Sequence, residues 1–563
     1  MQYTRVAAIC VLMAFAFTAC KKTDGGSAPA ACTKHTWGEW TVKTAADETT
    51  DGEEERACTA CGEKETQFGE YAAGTDGLAY ELINGNNAYR VRKGTADTSG
   101  EVIIPAFYRP NANRKYLPVT EVGAADDVPN TSAFQETAIT GVTFLEPSNI
   151  TSIGGYAFRK CTALVSVTLP EGVERIGESA FSECAALTSV ALPKGVDIGN
   201  SAFSECAKLT RVTIPDGVKN IGDHAFQNCN ALVSITIPAS VTNIGSAAFY
   251  ITALTSVTIP DGVKTIGEGA FQNCNALVSV TIPASVTTIG SNAFLTSASL
   301  KSITVDAANP NYASFDGILY TREDQATLLK APPAGIRGAL TLRKGVRAIA
   351  DQAFDYCRAL RSVTLPEGLE RIGAFAFWRC TALTNVTLPA SLTYIDNRAF
   401  SDTALTSVTI PAGVTTIGRN VFYDTTALAS FTADAANPNY ASQDKILYNK
   451  TKTRLVLSPP AITSVTIPNS VTSIGESAFE FCRAFTSVTI PAGVTHIGGA
   501  AFHYCSALTS VTVRSATPPA LDGSIVFDYN HATRQIFVPA RSVAAYRAAA
   551  GWSEYASAIV AIP

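Results

Sequence analysis

At 563 residues the chain is long enough for several domains, yet only 16% of it is Asp, Glu, Lys or Arg, against roughly 25% in typical soluble proteins. Its polar surface must rest on Ser, Thr and Asn, and a formal net charge of −5 without a long block of one sign argues against nucleic acid as a partner. Five His and two Met leave little material for a catalytic imidazole centre.

The chain opens with Arg5, an apolar run from Val6 to Phe17 and the small residues Thr18 and Ala19, the pattern of an export signal over residues 1–19. The run is too short for the roughly 20 residues of a membrane-spanning helix. Phe17-Thr-Ala-Cys20 resembles the lipobox of bacterial lipoproteins, with Phe17 where Leu is usual. The resemblance implies that Cys20 becomes the acylated mature N-terminus; a cleaved, unlipidated signal is the alternative. Residues 20–31, with Gly, Ser and Pro, read as a flexible tether.

Residues 32–68 hold the first group with chemical potential. Cys32-Thr-Lys-His35 is followed, after an acidic stretch, by Cys58-Thr-Ala-Cys61. C-x-x-H with C-x-x-C offers the four ligands a tetrahedral zinc ion prefers, and four protein ligands make a closed, structural site. Oxidation of Cys58 and Cys61, with Cys32 and His35 uninvolved, is the other reading, because an exported protein meets an oxidising compartment. Trp37, Trp40 and Arg56 resemble a small H-x-W-G-x-W module that recurs in bacterial surface proteins.

Residues 69–130 lead into a repeat region at 131–515. Ala-Phe pairs, with Val421-Phe422 as the variant, place Phe at 134, 158, 181, 203, 226, 249, 271, 294, 354, 377, 400, 422, 479 and 502. Eleven of the thirteen intervals are 22–24 residues and the others are 60 and 57. A fixed period of that length predicts a leucine-rich-repeat solenoid, a right-handed superhelix with one short parallel strand per coil. In Leu254-Thr-Ser-Val-Thr-Ile-Pro260 the apolar residues alternate with hydroxyls, so Val257 and Ile259 face inward. Pro260 ends the strand, Val263 and Ile266 return to the core, Gly267 allows a tight bend, and Ala270 with Phe271 fills the centre. A single coil cannot bury this set; stacking supplies the neighbours.

The two long intervals carry matching inserts, Asp306-Ala-Ala-Asn-Pro-Asn-Tyr312 with Gly317-Ile-Leu-Tyr320, and Asp434-Ala-Ala-Asn-Pro-Asn-Tyr440 with Ile446-Leu-Tyr448. Each reads as a turn plus an extra strand, giving wider coils at 306–345 and 434–465. Nine Cys, at 161, 184, 206, 229, 274, 357, 380, 482 and 505, fall three residues after a core Phe. One per coil at a fixed place suits a buried packing thiol better than a disulfide or a metal ligand. His224 is expected at the surface, and His496 and His503 lie in adjacent arms of the last coil.

These elements, V-T-I-P, A-F-x-x-C and N-P-N-Y, resemble the BspA-type leucine-rich repeats of bacterial surface proteins. The likeness extends to Gly77-Leu-Ala-Tyr-Glu-Leu82, Val102-Ile-Ile-Pro105 and Pro118-Val-Thr-Glu-Val122 before the repeats. It extends also to Ile536-Phe-Val-Pro539 and Tyr546 through Trp552 in a C-terminal cap at 516–563. Such a resemblance implies adhesion, since members of that family attach to fibronectin, fibrinogen or epithelial cells.

The outward strand positions form a regular array, Ser166/Thr168, Ser234/Thr236, Ser256/Thr258, Ser279/Thr281, Ser362/Thr364, Ser407/Thr409, Ser464/Thr466, Ser487/Thr489 and Ser510/Thr512. Thr suits any exposed strand face, but a long uncharged row of hydroxyls can also dock a protein or glycan. Ser256, Thr258, Ser279, Thr281, Ser407 and Thr409 are the candidate binding residues. No H-E-x-x-H, G-x-S-x-G or phosphate loop is present, so no enzyme activity is expected. The expected protein is an exported lipoprotein of the cell envelope, at the outer-membrane surface and touching the membrane only through its lipid. Its expected partners are host matrix or cell-surface proteins or glycans, or other bacteria. An envelope scaffold without adhesive function is the alternative, and an enzyme centred on the Cys/His module a remote third.

Overall fold

The alternation of Val and Ile with Ser and Thr does produce the expected strand, and the computed structural model adds a second one on another side of the coil. In the coil that starts at Leu254 the strands are Val257–Thr258 and Thr265–Ile266. The structure describes residues 41–44, 52–57, 64–69, 74–96, 99–110, 116–123, 133–322, 326–523 and 525–563. Cys20, Cys32, His35, Cys58 and Cys61 lie outside the described residues, and with them the lipidation and zinc readings.

The chain divides into two units, Met1–Pro193 and Lys194–Pro563. In the first, Thr41–Thr44, Gly52–Ala57 and Lys64–Gly69 form an antiparallel sheet. A hairpin of Ala79–Ile83 and Ala88–Arg92 then starts a parallel stack through Leu117–Val122, Ser152–Ile153 and Arg175–Ile176. On another side Glu101–Ile104 pairs with Gly141–Phe144, and Ser166–Thr168 with Ser189–Ala191.

The second unit repeats this plan over most of its length. Its second strands, Asp197–Ile198, Asn220–Ile221, Asn243–Ile244, Thr265–Ile266 and Thr288–Ile289, pair in parallel, isoleucine against isoleucine. The A-F turn makes a third ladder in which most of the core Phe N–H groups donate to an Ala or Val carbonyl of the next coil: Phe226 to Ala248 at 2.8 Å and Phe249 to Ala270 at 2.9 Å. Residues in the left-handed region on both sides of most of these pairs, such as His224 (φ 58°) and Asn228 (φ 58°), aim those N–H groups along the stack. The Phe rings follow, Phe226 to Phe249 at 5.6 Å and Phe354 to Phe377 at 4.7 Å, nearly parallel. A buried column of phenyl rings, flanked by Leu, Val and Ile, is therefore the core.

Gly267 has a different role from the expected bend, since its φ is not in the left-handed region. A Cβ there would lie 2.5 Å from the carbonyl carbon of Gly245 and from the Ser246 nitrogen in the preceding coil. Close approach of two backbones, rather than a turn, requires glycine.

The inserts are richer than one added strand. Tyr312–Phe315, Ile318–Thr321 and Ala326–Lys330 form an antiparallel meander, and Ala326–Lys330 then pairs in parallel with Val346–Ile349. Tyr440–Gln443, Ile446–Asn449 and Arg454–Leu457 repeat it. Asn309, fully buried, donates to the carbonyls of Pro283 (2.8 Å) and Val286 (2.9 Å) and accepts from the N–H of Asn311 and Tyr312. Asn437 does the same for the second insert. The Asn of N-P-N is thus a plug as well as a turn residue. At the C-terminal end the helix Val543–Ala548 and the 3-10 turn Trp552–Ala558 bury Tyr546, Trp552 and Tyr555, and Trp552 packs on Phe527 at 5.7 Å.

Candidate binding face

Parallel pairing in strict register turns the S-x-T strands into rows of hydroxyls. Val257 and Thr258 lie opposite Val280 and Thr281, and Ser279 and Thr281 opposite Ser302 and Thr304. Ser407 and Thr409 lie opposite Ser430 and Thr432. Neighbours in such a row are spaced at about 4.8 Å by the sheet itself. Ser256, Thr258, Ser279, Thr281, Ser407 and Thr409 are all exposed. The strands Val257–Thr258, Ser279–Ile282 and Ser302–Val305 contain no charged side chain. Arg211, Asn385 and Ala191 interrupt the pattern elsewhere, and Ser464/Thr466 contributes only an isolated bridge from Thr466 to Thr489.

Among the described residues the hydroxyls of those six positions make no hydrogen bond within the protein, whereas Thr hydroxyls elsewhere do. Thr242 and Thr287 donate to the carbonyls of Lys219 and Lys264 at 3.2 Å each, and Thr393 to Glu370 at 2.9 Å. Those threonines staple one coil to the one before it. The S-x-T hydroxyls at those six positions keep both donor and acceptor capacity for water or a partner.

The cysteine ladder is a packing device with a polar function. All nine thiols are free and buried. Cys184, Cys274, Cys380 and Cys505 donate at 3.0–3.1 Å to the carbonyl of the preceding coil's core Phe. Coils without Cys are not empty at this place: Thr137, Thr252, Ser297, Thr403 and Thr425 occupy it and are buried. Ser297 donates to Phe271 at 3.0 Å and Thr425 to Phe400 at 2.9 Å; in the last coil Asn530 reaches Phe502 at 2.6 Å. The position holds a small donor that gives the Phe carbonyl a second hydrogen bond, beside the backbone N–H it already accepts within its own coil, such as Cys161 to Phe158 at 3.2 Å and Cys357 to Phe354 at 3.1 Å, and Cys is one of four residue types that supply it. Burial pushes the Cys229 thiol up to about 12 and Cys274 to about 11, and a thiol held protonated is a poor nucleophile. Alkylation followed by peptide mass spectrometry is therefore expected to label Cys229 and Cys274 only in denaturant; labelling of the native protein at a comparable rate would refute the buried ladder.

His224 is exposed beside Gln227. His496 pairs with Asp522 at 2.8 Å and His503 with Glu480 at 3.2 Å, so the last two do not share a site. Among the described residues no group of three or more His, Cys, Asp or Glu is arranged to hold a metal ion, and no helix is long and apolar enough to cross a membrane. One surface feature escaped the sequence reading: Phe481, Tyr504 and Tyr529 stack at 4.9 and 4.5 Å, with Tyr504 36% and Tyr529 65% exposed. Its signal was an aromatic two places after the core Phe in three successive coils.

Comparison with known proteins agrees with this architecture. The sequence model of the family described as BspA type leucine-rich repeat region matches residues 130–250, 196–315, 338–450 and 458–541. Among solved structures, a leucine-rich cell surface protein from Faecalibacterium prausnitzii is similar at 27% identity, over 79% of this chain and 95% of its own, with a TM-score of 0.46. A leucine-rich repeat protein from Bacteroides ovatus is 21% identical over 88% of this chain and all of its own length, 100%, with a TM-score of 0.36. The leucine-rich repeat protein of Treponema pallidum is 26% identical over 40% of this chain and 88% of its own, with a TM-score of 0.30. No curated protein matches.

Proposed function

Since the chain belongs to the BspA-type leucine-rich repeat family, we propose that it is an adhesive surface protein rather than an enzyme. It is exported, held in the envelope by acyl chains on Cys20, and displayed at the outer-membrane surface. There the S-x-T face binds host matrix proteins, cell-surface proteins or glycans. The observation that carries this reading is the set of register-locked hydroxyl rows with no partner inside the protein. Many weak hydrogen bonds along a long, uncharged surface suit a large and shallow interface. An extended partner would use several rows at once, so affinity rests on repetition rather than on a single pocket.

The test is display of the full chain on a non-adherent bacterium, with attachment measured to immobilised matrix proteins and a glycan array. Display is expected to raise attachment to at least one ligand. The paired substitution Thr258→Arg with Thr281→Arg is expected to reduce that attachment several-fold while moving stability by no more than about 0.5 kcal/mol each. Confirmed display without any gain in attachment, beside a working positive control, overturns the proposal.

A further inference from the structure

The two inserts share a fold and differ in what they leave open. In an ordinary coil three N–H groups of the A-F turn donate forward: Gly269 to Ser291 (2.9 Å), Phe271 to Ala293 (2.8 Å) and Asn273 to Leu295 (2.8 Å). The next coil, the last before the first insert, presents the same three groups at Asn292, Phe294 and Thr296, with Asn292 (φ 60°) and Thr296 (φ 56°) in the same left-handed conformation. Only the third finds an acceptor. Asp355, wholly buried, brings Oδ2 to the Thr296 N–H at 3.0 Å, while its Oδ1 takes the ammonium of buried Lys330. Among the described residues the N–H groups of Asn292 and Phe294 have no acceptor.

Beside them is a cleft of about 450 Å³. Leu295, Leu319 and Leu329 give it an apolar wall, and Lys330 and Gln352 a polar one, where the Gln352 Oε1 is buried without a partner. Asp351 also lines it, but its carboxylate already accepts from the Ala374 N–H at 2.8 Å.

The second insert serves as an internal control. Strand register equates Lys330, opposite Leu319, with Leu457, opposite Leu447. Sequence alignment of the two junctions equates Leu295 with Tyr423 and Asp355 with Glu480. Tyr423 packs on Phe481 at 4.4 Å, and the cavity there is only about 30 Å³. One junction is filled by an aromatic ring and lacks the ammonium; the other is open and charged.

We infer that the first-junction cleft binds a small organic carboxylate with an apolar tail. Its carboxylate sits on the N–H groups of Asn292 and Phe294 beside the Lys330 ammonium, and its tail lies against Leu295, Leu319 and Leu329. The row of N–H groups already holds one carboxylate, that of Asp355, so a second at the adjacent positions repeats an arrangement the fold makes for itself. Backbone N–H groups in alternating right- and left-handed conformations are a general anion cradle, and charge-assisted hydrogen bonds there are the strong kind. The site is separate from the S-x-T face and does not depend on adhesion.

The probe is octanoate, titrated calorimetrically into the full chain, with octan-1-ol as a control of equal tail length. Octanoate is expected to bind saturably and at least about tenfold more tightly than the alcohol, a difference of about 1.4 kcal/mol. Leu295→Tyr, which imitates Tyr423, is expected to weaken octanoate at least about tenfold with the melting temperature retained. A crystal soaked with 8-bromooctanoate, which decides the matter if that variant fails to fold, is expected to place bromine beside Leu319. Absence of saturable binding, equal affinity for the alcohol, or bromine elsewhere overturns the inference.

Discussion

Phe377→Ala is expected to lower stability by about 3–5 kcal/mol, the cost of removing a large buried ring and leaving a cavity. Phe377 is fully buried and lies 4.7 Å from Phe354 on one side and 5.0 Å from Phe400 on the other, with rings nearly parallel. Both neighbours lose contact at once. They cannot close the gap, because each is tied by its own backbone bond to the next coil: Phe354 to Ala376 and Phe400 to Val421. In a repeat protein the damage should stay local, since each coil touches only its neighbours. Hydrogen exchange is the suitable measurement, as a long repeat array need not unfold in two states. Protection should fall in Leu360–Thr364 and Asn385–Thr387 and persist in Ser510–Val513. A loss under about 1 kcal/mol, or one spread evenly over all coils, would show that the ring column is not the source of stability.

Those rings were legible in the sequence because the period places every Ala-Phe pair in one column, and alternation places Val257 and Val280 inside and Thr258 and Thr281 outside. The second strand was harder to see. It is only two residues long, and its pairing is created by stacking rather than by any pattern within Thr265-Ile266. The role of Gly267 was misread for the same reason, as nothing local to a coil reveals how near Gly245 approaches. The slot three residues after the core Phe was read from its most frequent occupant, Cys, but Ser297 and Thr425 make the same bond to the preceding coil's core Phe carbonyl, while Thr252 bonds that of its own coil. On the face itself the sequence marked the hydroxyls correctly as outward. It could not separate Thr258, which is free, from Thr242, which is spent on the Lys219 carbonyl. The pairing of Lys330 with Asp355 was hidden altogether, because it spans the junction between an irregular insert and the next regular coil.

That pair is the site of a second large expected effect. Asp355→Ala is expected to cost about 3–5 kcal/mol, because it strands a buried ammonium and orphans the N–H of Thr296 as well. Lys330 has its side chain 7% exposed, and burial already pulls it down to about 8. Its other acceptor is the Gln352 carbonyl at 3.3 Å, too weak a partner to replace a carboxylate. The double variant Lys330→Leu with Asp355→Ala should recover most of the loss, since an apolar side chain in place of a buried ion is often tolerated and Leu457 holds the equivalent place in the second insert. Recovery should fall short of the parent by about 1–3 kcal/mol, the cost of the unpaired Thr296 N–H. Hydrogen exchange in Val346–Ile349 and Leu360–Thr364 reads both values. If the single and double variants lose equally, the carboxylate matters only for capping Thr296; if neither loses more than about 1 kcal/mol, water entering through the neighbouring cleft solvates the Lys330 ammonium.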